Sequence, residues 1–409
     1  MEDYILDLLG DEVLRVKRSS SMYMRGRYLA YPVTFGEVFK ALGPLTAAGI
    51  GTGYLWSQLN YWRYPPKEEQ SYEDYIAARF GHRLYKLLFK DYAQKVWQAD
   101  PASLSYRMAE TRLASPNLLE SLREAVFPTG RGSVSEFLYP RGGIGRLAEK
   151  MAQRFTGEGG RMELESTVQR IRIEDSRVVS VAGQGPEGDF EHTGPEWVVS
   201  TLPLNTLLNT LEPVPPKGVM AALKQLPFAC SILVYVLFDQ PQVTPDCWLY
   251  FPEKDICFSR IYEVNNFDRG NVPEGKSCLC VEVPCRESDP FWTMNDRQIT
   301  SRVKQDLERV GLGSVMLWES TQVIRLKNVY PIYYRRYESA LSIVTSYLSQ
   351  IQNLVSTGRG GYFCYNNVDH SIDMGILAAS YLLREHTDGH STGQFYRLRP
   401  RFEQYRIVD

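Results

Sequence analysis

The chain has 409 residues, 44% of them hydrophobic and 23% charged, enough for two or more sizeable cores. Its 46 basic and 48 acidic residues are well mixed and leave a net charge of −2, so the total makes no electrostatic case for nucleic-acid binding. The longest strand-like apolar run, residues 232–238, is far short of a membrane span, the start Met1-Glu2-Asp3 is unlike a signal peptide, and the seven cysteines contain no C-x-x-C; these features predict a cytoplasmic protein with no metal site.

In chain order, residues 22–24 and 28–30 flank Arg25-Gly26-Arg27 and predict a hairpin. Residues 35–42, 45–60 and 72–96 carry apolar side chains at three- and four-residue spacing and predict helices, with Pro65-Pro66 separating the last two; residues 118–126 continue the helical region. A second territory opens at Tyr139-Pro140-Arg141-Gly142-Gly143-Ile144-Gly145-Arg146. It reads as a helix over 145–155, strands over 161–164, 168–173 and 178–182 with a turn at 174–176, and a short buried strand over 197–201. Strands recur from 230 to 282 and predict an antiparallel sheet, in which Cys278 and Cys280 share one face as small apolar residues. Residues 295–310 form an amphipathic helix.

Residues 353–379 combine a buried strand, a turn with Gly358, Gly360 and Gly361, a polar loop, and a helix whose start is marked by Asp369 or Ser371. Glycine takes positive φ and has no Cβ, so such a turn leaves N–H groups free and admits a flat or anionic ligand. An ordinary strand-to-helix connection is the alternative.

Several blocks occur in a familiar order. They are Phe80-Gly-His-Arg-Leu-Tyr85 with Tyr92-Ala-Gln-Lys-Val-Trp97, Tyr139-Pro-Arg-Gly-Gly-Ile-Gly-Arg146 with Ser166-Thr-Val-Gln-Arg-Ile171, Ser200-Thr-Leu-Pro203, Phe258-Ser-Arg-Ile-Tyr-Glu263, and Gly358-Arg-Gly-Gly361 running into Asn366-Asn-Val-Asp-His-Ser371. Together they resemble the flavin amine oxidase and protoporphyrinogen oxidase superfamily, which includes the UDP-galactopyranose mutases, and they cover most of the chain to about residue 385. The resemblance implies a mixed α/β (α+β) fold, with an incomplete FAD-binding Rossmann-like domain interleaved with a substrate domain of antiparallel sheet plus helices. It divides the chain into an FAD-type domain (1–34, 132–205, 325–390), a helical cap (35–131), a sheet-based substrate domain (206–324) and a tail (391–409).

Carried over residue by residue, the resemblance implies that Gly358, Arg359, Gly360, Gly361, Asp369 and Ser371 lie along the flavin. Arg141, Gly142 and Gly143 pass close to its ring, and the Val168 backbone meets the adenine. Arg260, Tyr330, Tyr333 and Tyr334 face the substrate cavity, where an arginine fork suits a sugar-nucleotide diphosphate. His370 and Arg260 are the candidates for chemistry; the competing readings are a helix cap for His370, an ion pair for Arg260 and packing for the tyrosines. Lys95 and Trp97 read as fixed elements of the cavity wall.

The chain departs from the pattern at its start, where no strand, G-x-G-x-x-G turn and helix precede the rest. Gly49-Ile-Gly-Thr-Gly53 lies in a helical run and is no substitute. The expected function is an FAD-dependent oxidoreductase or sugar-nucleotide mutase acting on a small molecule, complete if that unit is supplied. The alternative is a non-catalytic or split-flavoprotein subunit that self-associates through exposed sheet edges or binds a partner carrying the missing unit.

Overall fold

Along Phe228–Phe238 half-buried and buried side chains alternate, the period of a strand with two unlike faces. In the computed structural model, which describes residues 1–31, 49–54, 56–57, 70–112, 136–388, 392–405 and 407, this strand lies next to one edge of a seven-stranded sheet. The strand order is Trp318–Pro331, Phe228–Phe238, Ser277–Cys285, Arg260–Glu263, Trp248–Tyr250, Ser20–Met24, Arg27–Ala30. Its pairings are antiparallel except that Trp248–Tyr250 runs parallel to Ser20–Met24. The predicted N-terminal hairpin therefore forms, turning through Arg25 and Gly26 at φ 51° and 80°, but it extends this sheet rather than the unit with which the sequence groups it.

One face of the sheet, with Ile232, Val234 and Val281, packs on Ile299, Val303 and Leu307 of the Asp296–Arg309 helix. The four-residue spacing of those three places them on one stripe. Asn295 starts the helix through a reciprocal capping box with Gln298. The opposite face stays half-covered and carries Ser231, Tyr235, Arg260, Tyr262 and Glu282.

A second sheet joins Gly188–Thr193, Arg177–Gly185, Thr167–Glu174 and Leu211–Glu212. The sequence Gly183-Gln-Gly-Pro-Glu-Gly188 matches G-x-G-x-x-G, yet it forms the hairpin between the first two of these strands and opens no helix. Glycine at 183 is instead needed for strand packing, since a Cβ there would lie 2.1 Å from the Thr167 carbonyl oxygen. The expected strand over 161–164 does not form: Met162 and Leu164 are exposed, and Glu163 pairs with Arg161 and His192 without a neighbouring ladder.

Leu354–Ser356 and Val198–Ser200 make a two-stranded parallel sheet. The second strand is not wholly buried as its apolar sequence suggests, because Val199 is 46% exposed. Asn353 joins this pair to the second sheet: its Oδ1 accepts the Val178 N–H at 2.7 Å, and its Nδ2 donates to the Val178 and Pro195 carbonyls, both at 3.1 Å.

The helix expected over 72–96 is divided at Gly81, φ 84°, where a Cβ would lie 2.9 Å from the Gly53 carbonyl oxygen. Tyr72–Phe80 precedes this break, and a π turn, Tyr85–Phe89, leads into Lys90–Trp97. The expected helices over 35–42 and 118–126, and part of that over 45–60, lie outside the described residues. Residues 391–409, expected as a tail, include two short helices, Gly393–Tyr396 and Arg399–Phe402, that pack into the fold. Among the described residues no helix is long and apolar enough to cross a membrane.

Candidate functional site

Leu354–Ser356 delivers the chain to the glycine turn, which closes as one helical turn, Gly358–Gly361. Gly358 sits at φ 77°. The other two glycines serve a close approach: a Cβ at Gly360 would lie 3.0 Å from Pro203 Cα, and one at Gly361 would lie 3.1 Å from the Ser200 carbonyl oxygen. The Ser200–Pro203 and Gly358–Gly361 motifs thus meet, and the glycine pair admits this chain's own backbone. Before the turn, the Thr357 N–H donates to the Ser200 carbonyl at 2.9 Å, while the Thr357 hydroxyl is buried without a partner.

Arg359 turns inward. Nη2 and Nε donate to the Asn366 carbonyl and Oδ1 at 2.7 and 3.2 Å, and Nη1 donates to the Val329 carbonyl at 3.3 Å. Its guanidinium stands 4.9 Å from the centre of the Tyr330 ring, which stacks on Tyr365 at 5.0 Å. Of the loop between the glycine turn and the helix start, expected to be polar, residues 362–366 are buried, Asn367 is half-buried and Val368 is exposed. Ser371 Oγ donates to Asn366 Oδ1 at 3.3 Å, and Asp369 is exposed on the first turn of the Val368–Asp388 helix.

Tyr330 joins this turn to a narrow cavity of about 40 Å³ lined by Tyr92, Tyr250, Ser231, Arg260 and Glu282. Arg260 and Glu282 face each other across neighbouring strands and form a two-point pair, Nε to Oε2 at 2.9 Å and Nη2 to Oε1 at 2.8 Å. Burial opposes the Arg260 charge, but Glu282 outweighs it and holds the guanidinium pKa well above the ordinary value. Lys95, on the helix that carries Tyr92, does not line the cavity; its Nζ donates to the Phe251 and Phe258 carbonyls, beside the lining residues Tyr250 and Ser259, at 2.7 and 2.9 Å, and burial pushes its amine down to about 8. Trp97 packs edge-on against Tyr330 and Tyr365.

The expected tyrosine trio separates. Tyr330 lines the Arg260 cavity, whereas the Tyr333 hydroxyl is buried in the core, accepting the Tyr365 N–H at 2.6 Å and donating to the Phe363 carbonyl at 3.3 Å. Tyr334 accepts from Arg286 Nη2 at 2.5 Å and bridges to Leu104. Tyr330 is on the Trp318–Pro331 strand, whereas Tyr333 and Tyr334 follow its end, so no shared strand face sets the three toward one cavity.

His370 Nδ1 accepts the Asn367 N–H at 3.2 Å, and its ring stacks on Tyr405 with centres 4.3 Å apart. This is the geometry of a cap, and it requires the neutral imidazole. Burial lowers the His370 pKa from 6.5, against the opposing pull of Asp369 and Asp373. With a folded value below the unfolded one, the unfolded chain gains the proton first on acidification, so stability is lost as pH falls below about 6.5. His370→Gln, which keeps an acceptor but does not titrate, is expected to flatten the fall in unfolding free energy between about pH 7.5 and about pH 5.5. Equal slopes for the two proteins in urea titrations would refute this assignment.

The Arg141 N–H donates to the Glu12 carbonyl at 2.7 Å, and the Gly142 N–H donates to Asp268 Oδ2 at 2.8 Å. Gly142 and Gly143 take φ 82° and 103° and have open space on their Cβ sides apart from the Arg146 side chain and contacts near 4.0 Å. Val168 lies on the second sheet opposite Gly183. The glycine loop, the glycine turn and Val168 are thus anchored on different neighbours. Glu282, Asp268 and Tyr250 were not singled out from sequence. Glu282 had a signal, as the lone charge in the otherwise apolar Ser277–Cys285 strand, and Asp268 had one in the Asp-x-Gly turn.

The profile of the family "Flavin containing amine oxidoreductase" matches residues 50–382. Among solved structures, a reduced UDP-galactopyranose mutase is similar at 21% identity and TM-score 0.79, covering 100% of this chain and 86% of that one. A protein assigned as a protoporphyrinogen oxidase from Exiguobacterium sp. 255-15 follows at 16% identity and TM-score 0.64, covering 88% and 79%. Putrescine oxidase bound to putrescine is similar at 13% identity and TM-score 0.56, covering 94% and 85%. At these identities the structural likeness establishes the fold, and the matched profile spans well over half of the sequence. The chain belongs to the flavin containing amine oxidoreductase family.

Proposed function

We propose that this chain is an FAD-dependent oxidoreductase whose substrate enters the Arg260–Glu282 cavity, with the flavin ring lying between the Thr357–Gly358 turn and the Arg141–Gly143 loop. The observation that carries this reading is the continuous path from the glycine turn through Arg359 and Tyr330 into the cavity. The ring side fits a flavin: the Thr357 hydroxyl is a buried polar group without a partner, and Gly358 and Gly143 hold positive φ. For the diphosphate, this reading assigns contacts to none of the described residues: of the strand, glycine turn and helix runs among them, Glu136–Pro140 into Gly145–Gly157 has its strand paired antiparallel with Val13–Lys17, and Leu354–Ser356 into Val368–Asp388 has its glycine turn filled by the Ser200–Pro203 backbone.

When bound, the flavin supplies the redox chemistry. The chain's own residues shape the substrate's surroundings. Arg260 and Glu282 balance each other's charge, and Tyr92, Tyr250 and Tyr330 add aromatic faces, which suits a small neutral or singly charged substrate. A sugar-nucleotide diphosphate asks for an uncommitted guanidinium, whereas Arg260 spends Nε and Nη2 on Glu282. His370 holds the helix start rather than moving a proton. No observation favours the non-catalytic reading.

FAD titration followed by absorbance is expected to saturate. Primary amines should then bleach the oxidised band without a response to UDP-sugars. Tyr330→Ala is expected to weaken substrate binding about tenfold, equivalent to about 1.4 kcal/mol. A chain that takes up no FAD overturns the proposal, and one that binds UDP-sugar but leaves amines untouched transfers it to mutase chemistry.

A further inference from the structure

A cleft of about 770 Å³ lies in the helical region, and it shares no lining residue with the Arg260 cavity or the glycine turn. Its volume is in the range of small-molecule sites.

Two helical runs form its walls. Residues 49–54 and 56–57 make one, with Gly49 beside Arg83 and the Gly53 carbonyl against Gly81, at the break that follows Tyr72–Phe80. On the other, Asp74, Ala77, Ala78 and Gly81 follow at three- and four-residue steps and so share a face. Nothing larger than a methyl stands between Asp74 and the break, which keeps open a slot about 10 Å long.

The slot has unlike ends. At one, the Arg83 guanidinium lies over Gly49: a Cβ there would be 2.1 Å from Nη1, so only glycine admits this pose. His82 lines the same end, and among the described residues no acceptor meets Arg83. At the other end Asp74 presents an exposed carboxylate, whose Oδ2 accepts the Ser71 hydroxyl at 2.7 Å. The wall hydroxyls are turned onto their own helix, Thr52 to the Gly49 carbonyl at 3.2 Å and Ser57 to the Tyr54 carbonyl at 2.8 Å. Trp56 adds an indole that is 70% exposed.

A cation at one end, a carboxylate at the other and a flat apolar surface between them call for a ligand with the reverse order. We propose that this cleft is a second binding site, for an elongated aromatic compound with an acid group at one end and an amino group at the other. The acid pairs with the Arg83 fork, the ring lies against Trp56, and the amine donates to Asp74.

Isothermal titration of the full chain with 4-aminophenylacetate tests this. The nitrogen-bearing carbon of that probe carries no hydrogen, so amine oxidation leaves it intact. Saturable binding is expected. The uncharged 4-aminophenylacetamide should bind about tenfold more weakly, and Arg83→Met should bring the two to equal affinity. Gly49→Ala keeps the arginine but displaces its guanidinium; because alanine is the better helix former, this variant should weaken the acid about tenfold with no loss of melting temperature. Tyr330→Ala should leave the affinity as it is. Absence of saturable binding, or binding that neither Arg83→Met nor Gly49→Ala weakens, overturns the site. Loss of binding in Tyr330→Ala overturns it too, since the probe would then sit in the Arg260 cavity.

Discussion

Glu282→Ala is expected to destabilise the protein by about 3 kcal/mol, because it leaves the Arg260 guanidinium in the cavity wall without its two-point partner. Both side chains keep only a minor part of their surface, 24% for Arg260 and 19% for Glu282, so water screens the stranded charge poorly. The paired change Arg260→Met with Glu282→Leu is expected to recover all but about 1 kcal/mol, since the cost lies in the unpaired charge more than in losing the pair. Urea unfolding of the three variants measures this. A loss near the surface-pair value, about 0.5 kcal/mol, would mean that solvent reaches the pair and the cavity is open at that point.

Asn353→Ala is expected to cost about 3–4.5 kcal/mol, from three hydrogen bonds worth about 1–1.5 kcal/mol each. The side chain is fully buried, so water does not replace it at the Val178 N–H and carbonyl or at the Pro195 carbonyl. Asn353→Asp is expected to be no milder: it keeps the acceptor for Val178 but sets a carboxylate oxygen against two carbonyls. The loss also loosens the seating of Leu354–Ser356 and the glycine turn beyond it. Thermal unfolding and exchange at Val178 read the two effects separately, and an unchanged melting temperature in Asn353→Ala would remove the asparagine as the link between the sheets.

Local pattern made much of this fold legible. The Asn295 cap and the apolar stripe on residues 299, 303 and 307 define the Asp296–Arg309 helix, and Arg25-Gly26 defines the hairpin turn. The strand, glycine turn and helix over 353–379 were readable for the same reason: each depends on neighbours along the chain. The failed strand over 161–164 had suitable residues but no adjacent backbone. The break at Gly81 depends on the Gly53 carbonyl, which is close in space and remote in sequence.

The candidate site divides along the same line. Residue types and motif order sufficed to identify the family and to point at Arg260, Tyr330 and the glycine turn. Whether each side chain was free to act was decided by its partners. Arg260 is held by Glu282 from the next strand, Tyr333 by backbone across the core, and Arg359 by Asn366 and Val329. Gly360 and Gly361 look like a ligand cradle in sequence, but the Ser200–Pro203 turn fills the space beside them. By itself the sequence determined the family, the strand and helix periods and the positions of the turns, because those are properties of local chain stereochemistry and spacing. The tertiary structure alone decided which donors, charges and edges remain available, because hydrogen bonding and burial depend on groups that meet only when distant segments pack.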